Sequence, residues 1–160
     1  MNFKEVKLDI ENLKKIKKID STFYKNEELT LDWYLERYNS NHSAIILEND
    51  KDEYVGYLVS VPVTKELYDA IKNGILLNDI YINPQHFLNE SNYNYLVSIL
   101  ILNEYRNKGY GKKILEFYLE KNINNKCCAL AITDDGFRLC NKKMNLVKIL
   151  NKQTAVFVKE

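Results

Sequence analysis

The sequence predicts a mixed α/β fold, and three observations carry that reading. Apolar residues alternate in some stretches and recur at three- and four-residue spacing in others, the signatures of half-buried strands and amphipathic helices. Short polar side chains able to cap a helix stand just before the helical stretches. The segment 93–102 is apolar except for Asn94 and Ser98, as a central strand covered on both faces would be. The 160 residues hold no Pro/Gly/Ser linker, repeat or low-complexity tract, and Pro62 and Pro84 fall between changes of pattern, so the chain reads as one domain over 1–160.

The elements follow in order. Alternation over 3–8 predicts a strand, and Asp9 then caps a helix with the stripe Ile10, Leu13, Ile16, Ile19 and Phe23. Thr30 precedes a second helix with the stripe Leu31, Tyr34, Leu35 and Tyr38, ended by Asn39, Ser40 and Asn41. Strands 43–47 and 54–61 flank the polar turn 48–53 and are expected to pair antiparallel. Residues 65–73 form a short helix stopped by Gly74, while 75–85 follows no single period. After the strand 93–102 comes a helix from about 112 to 121, with Ile114, Leu115, Tyr118 and Leu119 on one side. A strand over 128–132 leads to Thr133, Asp134 and Asp135, which supply caps for a helix carrying Phe137, Cys140 and Met144. Strands 147–150 and 154–158 close the chain.

Composition narrows the function classes. The chain is 46% apolar and 28% charged, and no apolar run approaches the roughly 20 residues that cross a bilayer, so no membrane partner is expected. The opening Met1-Asn2-Phe3-Lys4-Glu5 does not read as a secretory signal. Cys127, Cys128 and Cys140 form neither a disulfide framework nor a zinc spacing, so a cytoplasmic chain without a metal is the expectation. A net charge of +1 gives no general attraction to polyanions, and Lys14, Lys15, Lys17 and Lys18 flank Ile16 and Ile19 as the solvated face of a helix. Nucleic acid is therefore not an expected partner, and any anion site must come from local geometry.

That geometry is present at Arg106-Asn107-Lys108-Gly109-Tyr110-Gly111, between the apolar strand and an amphipathic helix. Glycines let the chain turn sharply and let main-chain N–H groups approach a ligand unshielded; the helix start adds further donors and a partial positive charge. Lys108, Lys112 and Lys113 add full charges nearby. A P-loop would need a hydroxyl after Gly-Lys, and here Lys112 and Lys113 follow Gly111. A dinucleotide fingerprint would need a glycine where Asn107 stands.

The run Ile101-Leu102-Asn103-Glu104-Tyr105-Arg106-Asn107-Lys108-Gly109-Tyr110-Gly111 closely resembles the strand-to-helix segment of the GNAT acetyltransferase superfamily, commonly Val-x-Pro-x-Tyr-Arg-Gly-Lys-Gly-x-Gly. The resemblance extends in element order over nearly the whole chain. It implies a GNAT-like acyl-CoA N-acyltransferase fold, with a mostly antiparallel mixed sheet of about six to seven strands flanked by about four helices. It further implies that main-chain groups of Ile99, Leu100 and Ile101 pair with the pantetheine arm of acetyl-CoA, and that Arg106, Asn107, Lys108, Gly109, Tyr110, Gly111 and Lys112 surround its pyrophosphate. Asp134 falls where many members carry an asparagine that touches the cofactor arm.

The sequence departs from the family at its acid and base. Lys142-Lys143-Met144-Asn145-Leu146 stands where Lys-Lys-Leu-Gly-Phe is usual, which puts Asn141 at the position of the tyrosine acid and gives Asn145 the left-handed cap role of the glycine. Tyr95 and Ala129 occupy positions that carry a glutamate base in different relatives. The remaining candidates are Tyr95 as a water-mediated relay, Glu90 in the loop before that strand, and the Cys140 thiol as acid; packing or solvation is the alternative for each. His86 has suitable chemistry but stands in the unplaced stretch.

The resulting expectation is an N-acetyltransferase acting on a primary amine of a small molecule or peptide, with acceptor-side segments at 22–41 and 75–92, as a monomer or homodimer. The alternative is an acyl-CoA-binding regulatory module that has lost its acid–base groups. A nucleic-acid protein using the lysines of the turn is a third reading, opposed by the balanced charge.

Overall fold

The computed structural model describes residues 1–24, 29–75, 82–152 and 154–160; the expected irregular stretch 75–85 falls partly outside these. The elements are β1 (Asn2–Lys7), α1 (Ile10–Phe23), α2 (Leu31–Arg37), β2 (Ser43–Glu48), β3 (Tyr54–Pro62), α3 (Lys65–Lys72), β4 (Tyr93–Ile101), α4 (Tyr110–Lys121), β5 (Lys126–Ala131), α5 (Asp134–Lys143), β6 (Asn145–Ile149) and β7 (Ala155–Lys159). Short 3-10 turns occupy Pro84–His86 and Asn103–Tyr105. The seven strands make one sheet in the order β1-β2-β3-β4-β5-β7-β6. β1/β2, β5/β7 and β6/β7 are antiparallel and β4/β5 is parallel; a parallel neighbour requires a crossover, and α4 lies in that connection. Among the described residues five α-helices accompany the sheet, where the family resemblance implied about four.

The chain divides into two compact units, residues 1–59 with 98–118 and residues 60–97 with 119–160. In the first, Asp9 caps α1 by accepting from Asn12 N at 2.9 Å, and Leu13, Ile16 and Ile19 are buried. The expected stripe is shorter than its pattern suggested: Ile10 and Phe23, at the first and last positions of the helix, are 53% and 45% exposed. Asp20 takes a buried place on that face instead. Thr30 caps α2 through Trp33 N at 3.3 Å, and Tyr34 is the residue that helix buries; Leu35, expected in the stripe, is exposed. Asn49 organises the turn before β3, its side-chain oxygen accepting from Lys51 N and Glu53 N at 2.9 and 3.0 Å. Leu47, Val55 and Ile101 form a buried cluster, packed by Phe3, Leu102, Tyr105 and Tyr110.

In the second unit Thr64 caps α3 through Leu67 N at 3.2 Å, and Leu67, Tyr68 and Ile71 are buried. The His86 ring holds this cap, with Nδ1 2.9 Å from Thr64 Oγ1 while Thr64 N donates to His86 O at 3.0 Å. That is a structural use of the histidine. Thr133, rather than Asp134 or Asp135, caps α5 by accepting from Gly136 N at 3.0 Å. The expected left-handed cap at Asn145 is not formed: α5 ends through Met144 at φ −124° and ψ 166°, and Asn145 already opens β6, leaving no room for a left-handed turn. β6 is exposed along its length, whereas Cys127, Cys128 and the β7 residues Ala155, Val156, Phe157 and Val158 are buried. Among the described residues no helix is long and apolar enough to cross a membrane.

The shortened α1 stripe sets a direct test. Leu13, 1% exposed, should cost about 2–5 kcal/mol of stability as Leu13→Ala in denaturant unfolding. Ile10→Ala should change it by no more than about 0.5 kcal/mol. Equal losses at the two positions would contradict this placement of the helix.

Candidate functional site

The glycine turn begins where β4 ends. Leu102 N still donates to Val55 O at 2.9 Å, after which Tyr105 N and Arg106 N return to the carbonyls of Leu102 and Asn103 at 2.9 and 3.1 Å, closing the 3-10 turn. Asn107 at φ 59° and Gly109 at φ 81° are both left-handed. Asparagine tolerates that region better than most residues, and at Gly109 a side chain would be strained. A Cβ built on Gly109 meets nothing within 4 Å, so its backbone faces open space. The first helical bond of α4 runs from Lys113 N to Gly109 O at 3.1 Å. The N–H groups of Tyr110, Gly111 and Lys112 therefore precede any carbonyl they could reach within the helix, and the helix dipole places partial positive charge there.

The charged residues of the turn divide by role. Arg106 reaches back: its Nε donates to Ile101 O at 2.8 Å, and its guanidinium lies 5.5 Å from the ring centre of Phe23 on α1. Lys108 Nζ donates to Glu104 O at 3.0 Å and lies 5.6 Å from the Tyr105 ring centre. Lys112 is 3.7 Å from Glu116. Lys108 and Lys112 are exposed beside the helix start, while Arg106 braces the strand end.

On the strand itself Ile99 is half-buried, and Leu100 and Ile101 are 6% and 8% exposed. The parallel register with β5 runs from Tyr93↔Lys126 to Leu96↔Ala129, so these three residues lie beyond it. Gly56 on β3 lets that strand come close to this end of β4, since a Cβ there would lie 2.5 Å from Ile101 Cδ1 and 3.1 Å from Leu100 O.

Residues 99–101 and 106–112 are thus brought together within one unit. Tyr95, Glu90, Asp134, Cys140 and Asn141 belong to the other. Tyr95 is 1% exposed, and its carbonyl accepts from Ser60 Oγ at 3.1 Å. Glu90 is solvent-exposed, as are Asp134 at the first position of α5 and Asn141 near its end. Cys140 is buried, and burial pushes its thiol up to about 11. These surroundings suit packing for Tyr95 and Cys140 and solvation for Glu90.

A polar cluster that the sequence reading passed over lies in the first unit. Asp20, 6% exposed, accepts from Tyr34 Oη on one carboxylate oxygen and from Tyr57 Oη on the other; Tyr57 Oη is 3.1 Å from Ser98 Oγ on β4. Burial raises the Asp20 carboxyl above its usual range against the opposing pull of the two phenol bonds. Burial and the neighbouring carboxylate hold both phenols well above the ordinary tyrosine range. The available signal was spacing: Asp20 is four residues from Ile16 and seven from Leu13, which puts a carboxylate on the apolar face of α1.

Comparison with solved structures gives the same fold. The GphF GNAT-like decarboxylase in complex with isobutyryl-CoA superposes with a TM-score of 0.73 at 8% identity, covering 99% of this chain and 98% of that one. The loading GNATL domain of CurA from Lyngbya majuscula gives 0.72 at 17%, covering 99% and 96%. NAA60 of Arabidopsis thaliana in complex with acetyl-CoA gives 0.65 at 13%, covering 99% of both chains. Among curated proteins none matches the chain. In sequence, the family described as acetyltransferase (GNAT) matches over residues 13–141, from the first buried leucine of α1 through the glycine turn into the last turn of α5. With most of its length matched and the strand-to-turn-to-helix segment built as described, the chain belongs to the GNAT acetyltransferase family.

Proposed function

We propose that this protein transfers an acetyl group from acetyl-CoA to a primary amine of a small molecule or peptide. The observation that carries the reading is the turn at Asn107 and Gly109, with its open space and the helix-start donors of Tyr110, Gly111 and Lys112. In this reading those donors hold the pyrophosphate, Lys108 and Lys112 supply charge, and Ile99, Leu100 and Ile101 offer main-chain groups to the pantetheine arm. The amine attacks the thioester carbonyl directly, and main-chain N–H groups of the strand stabilise the charge developing on its oxygen. An alkylammonium has a pKa near 10.4, so a group that removes a proton at neutral pH is needed. Acetyl-CoA bound to NAA60 is consistent with the reading. GphF is described with isobutyryl-CoA, so longer acyl groups belong in the assay.

A second reading, acyl-CoA binding without turnover, is favoured by one set of observations: Tyr95 and Cys140 are buried, Glu90 is exposed, and asparagine stands at 141. Two measurements test them: the first checks the acyl-CoA binding that both readings share, and the second separates them. Acetyl-CoA at 100 times its Kd should stabilise the protein by about 2.7 kcal/mol in thermal unfolding. Gly109→Glu should abolish that stabilisation, because it sets a strained, negatively charged side chain where the phosphates lie; unchanged affinity would refute the cradle. Release of CoA thiol with a panel of diamines, amino acids and lysine-containing peptides supports the enzyme, and silence across the panel with acetyl-CoA bound supports the module.

A further inference from the structure

Ser98 precedes Ile99 on β4, and its Oγ lies 3.1 Å from Tyr57 Oη, which in turn donates to Oδ1 of Asp20 on α1. Tyr34 donates to Oδ2. A phenol has a single hydrogen. With Asp20 ionised, Tyr57 spends that hydrogen on the carboxylate, so Ser98 must be the donor in the bond between Ser98 and Tyr57. The Ser98 hydrogen then points inward, and its remaining lone pairs are left for a group outside. Ser98 is half-buried, whereas Tyr57 and Asp20 are 2% and 6% exposed. The hydroxyls therefore connect a half-buried residue to a carboxylate shielded from water.

We propose that Ser98, Tyr57 and Asp20 form a proton relay that removes one proton from the ammonium of the acceptor amine, with Ser98 Oγ the atom that touches it. Three shifts balance the step: the ammonium proton moves to Ser98 Oγ, the Ser98 proton to Tyr57 Oη, and the Tyr57 proton to Asp20 Oδ1. The nitrogen keeps its electron pair as a neutral nucleophile, and Asp20 becomes a neutral carboxylic acid. In that state the polarity is reversed, Asp20 donating to Tyr57 and Tyr57 to Ser98, so Ser98 presents a hydrogen outward and releases it to solvent when the relay resets. Ser98 is the catalytic residue of this step; Tyr57 and Asp20 act through it as positioning residues. The inference rests on the acetyl-transfer reading above.

The surroundings suit a carboxylate that must accept this proton. Tyr34 on α2 and Tyr57 on β3 bond it, Tyr24 beyond the end of α1 acts electrostatically on both phenols, and Tyr38 acts on Tyr34. Burial is the largest influence on the carboxyl, and the two phenol bonds oppose it. Its proton affinity is raised above that of an ordinary carboxylate, and it accepts a proton only above its own titration, losing that capacity as the pH falls.

The test uses the full chain as wild type, Ser98→Ala, Ser98→Thr and Tyr57→Phe, with acetyl-CoA and an amine from the panel that the wild type acetylates. All four should keep their stabilisation by acetyl-CoA. Wild-type kcat/KM should level off above the titration of Asp20. Ser98→Ala should fall about a hundredfold at neutral pH and then rise tenfold per pH unit toward the amine's own pKa, about 10.4. Tyr57→Phe should follow it, and Ser98→Thr should restore the plateau; if Tyr57→Phe fails to fold, the two Ser98 variants decide. A Ser98→Ala profile like that of the wild type overturns the relay alone. A wild type that binds acetyl-CoA yet acetylates no amine removes the acetyl-transfer reading and the relay with it.

Discussion

Arg106 Nε donates to the carbonyl of Ile101 at 2.8 Å, and that bond fixes where β4 stops being a strand and becomes a turn. Without it the carbonyl at the strand end would have to find another donor, and the turn after Ile101 would be tied to the sheet only through Leu102 N on Val55 O and the packing of Leu102 and Tyr105. A guanidinium suits the task because its planar fork can hydrogen-bond a carbonyl while its face lies against an aromatic ring, here Phe23. Phe23 is correspondingly exposed at the end of α1 instead of buried in the helix stripe. One side chain thus links the strand, the turn and the first helix.

The first unit also holds its helices to the sheet by a polar device. Burying Asp20 costs free energy that two phenol bonds only partly offset, since a desolvated carboxylate is more expensive than a desolvated amide. An apolar residue at this place would pack α1 without that cost. What the carboxylate adds is direction: α2 and β3 each present one hydroxyl to it at a fixed point, so a register shift of either element would take away one of its two donors.

Much of this was legible in the sequence because it depends on local rules. Asp9 and Thr30 were readable as caps from their position before apolar periodicity, and the turn from two glycines and an arginine between a strand and a helix. Other features depend on partners distant in sequence. The burial of Tyr95 and Cys140 is decided by what covers them, and the extended path at Asn145 by β6 starting immediately after α5. Tyr57 and Ser98 are 41 residues apart, and no local pattern marks them as neighbours. Asp20 lies between these cases: its helical position was readable, but its two phenol partners were not.

The burial of the three cysteines has a practical side. Cys127, Cys128 and Cys140 are reduced and lie inside the protein, and burial pushes the thiols of Cys128 and Cys140 upward, so little thiolate is present at neutral pH. A thiol-reactive dye added to the folded protein therefore finds CoA thiol in solution while the protein's own sulfurs stay shielded. The same packing that argues against Cys140 as an acid gives the chain a low background for observing acyl transfer, and a rise in dye-accessible protein thiol would report unfolding.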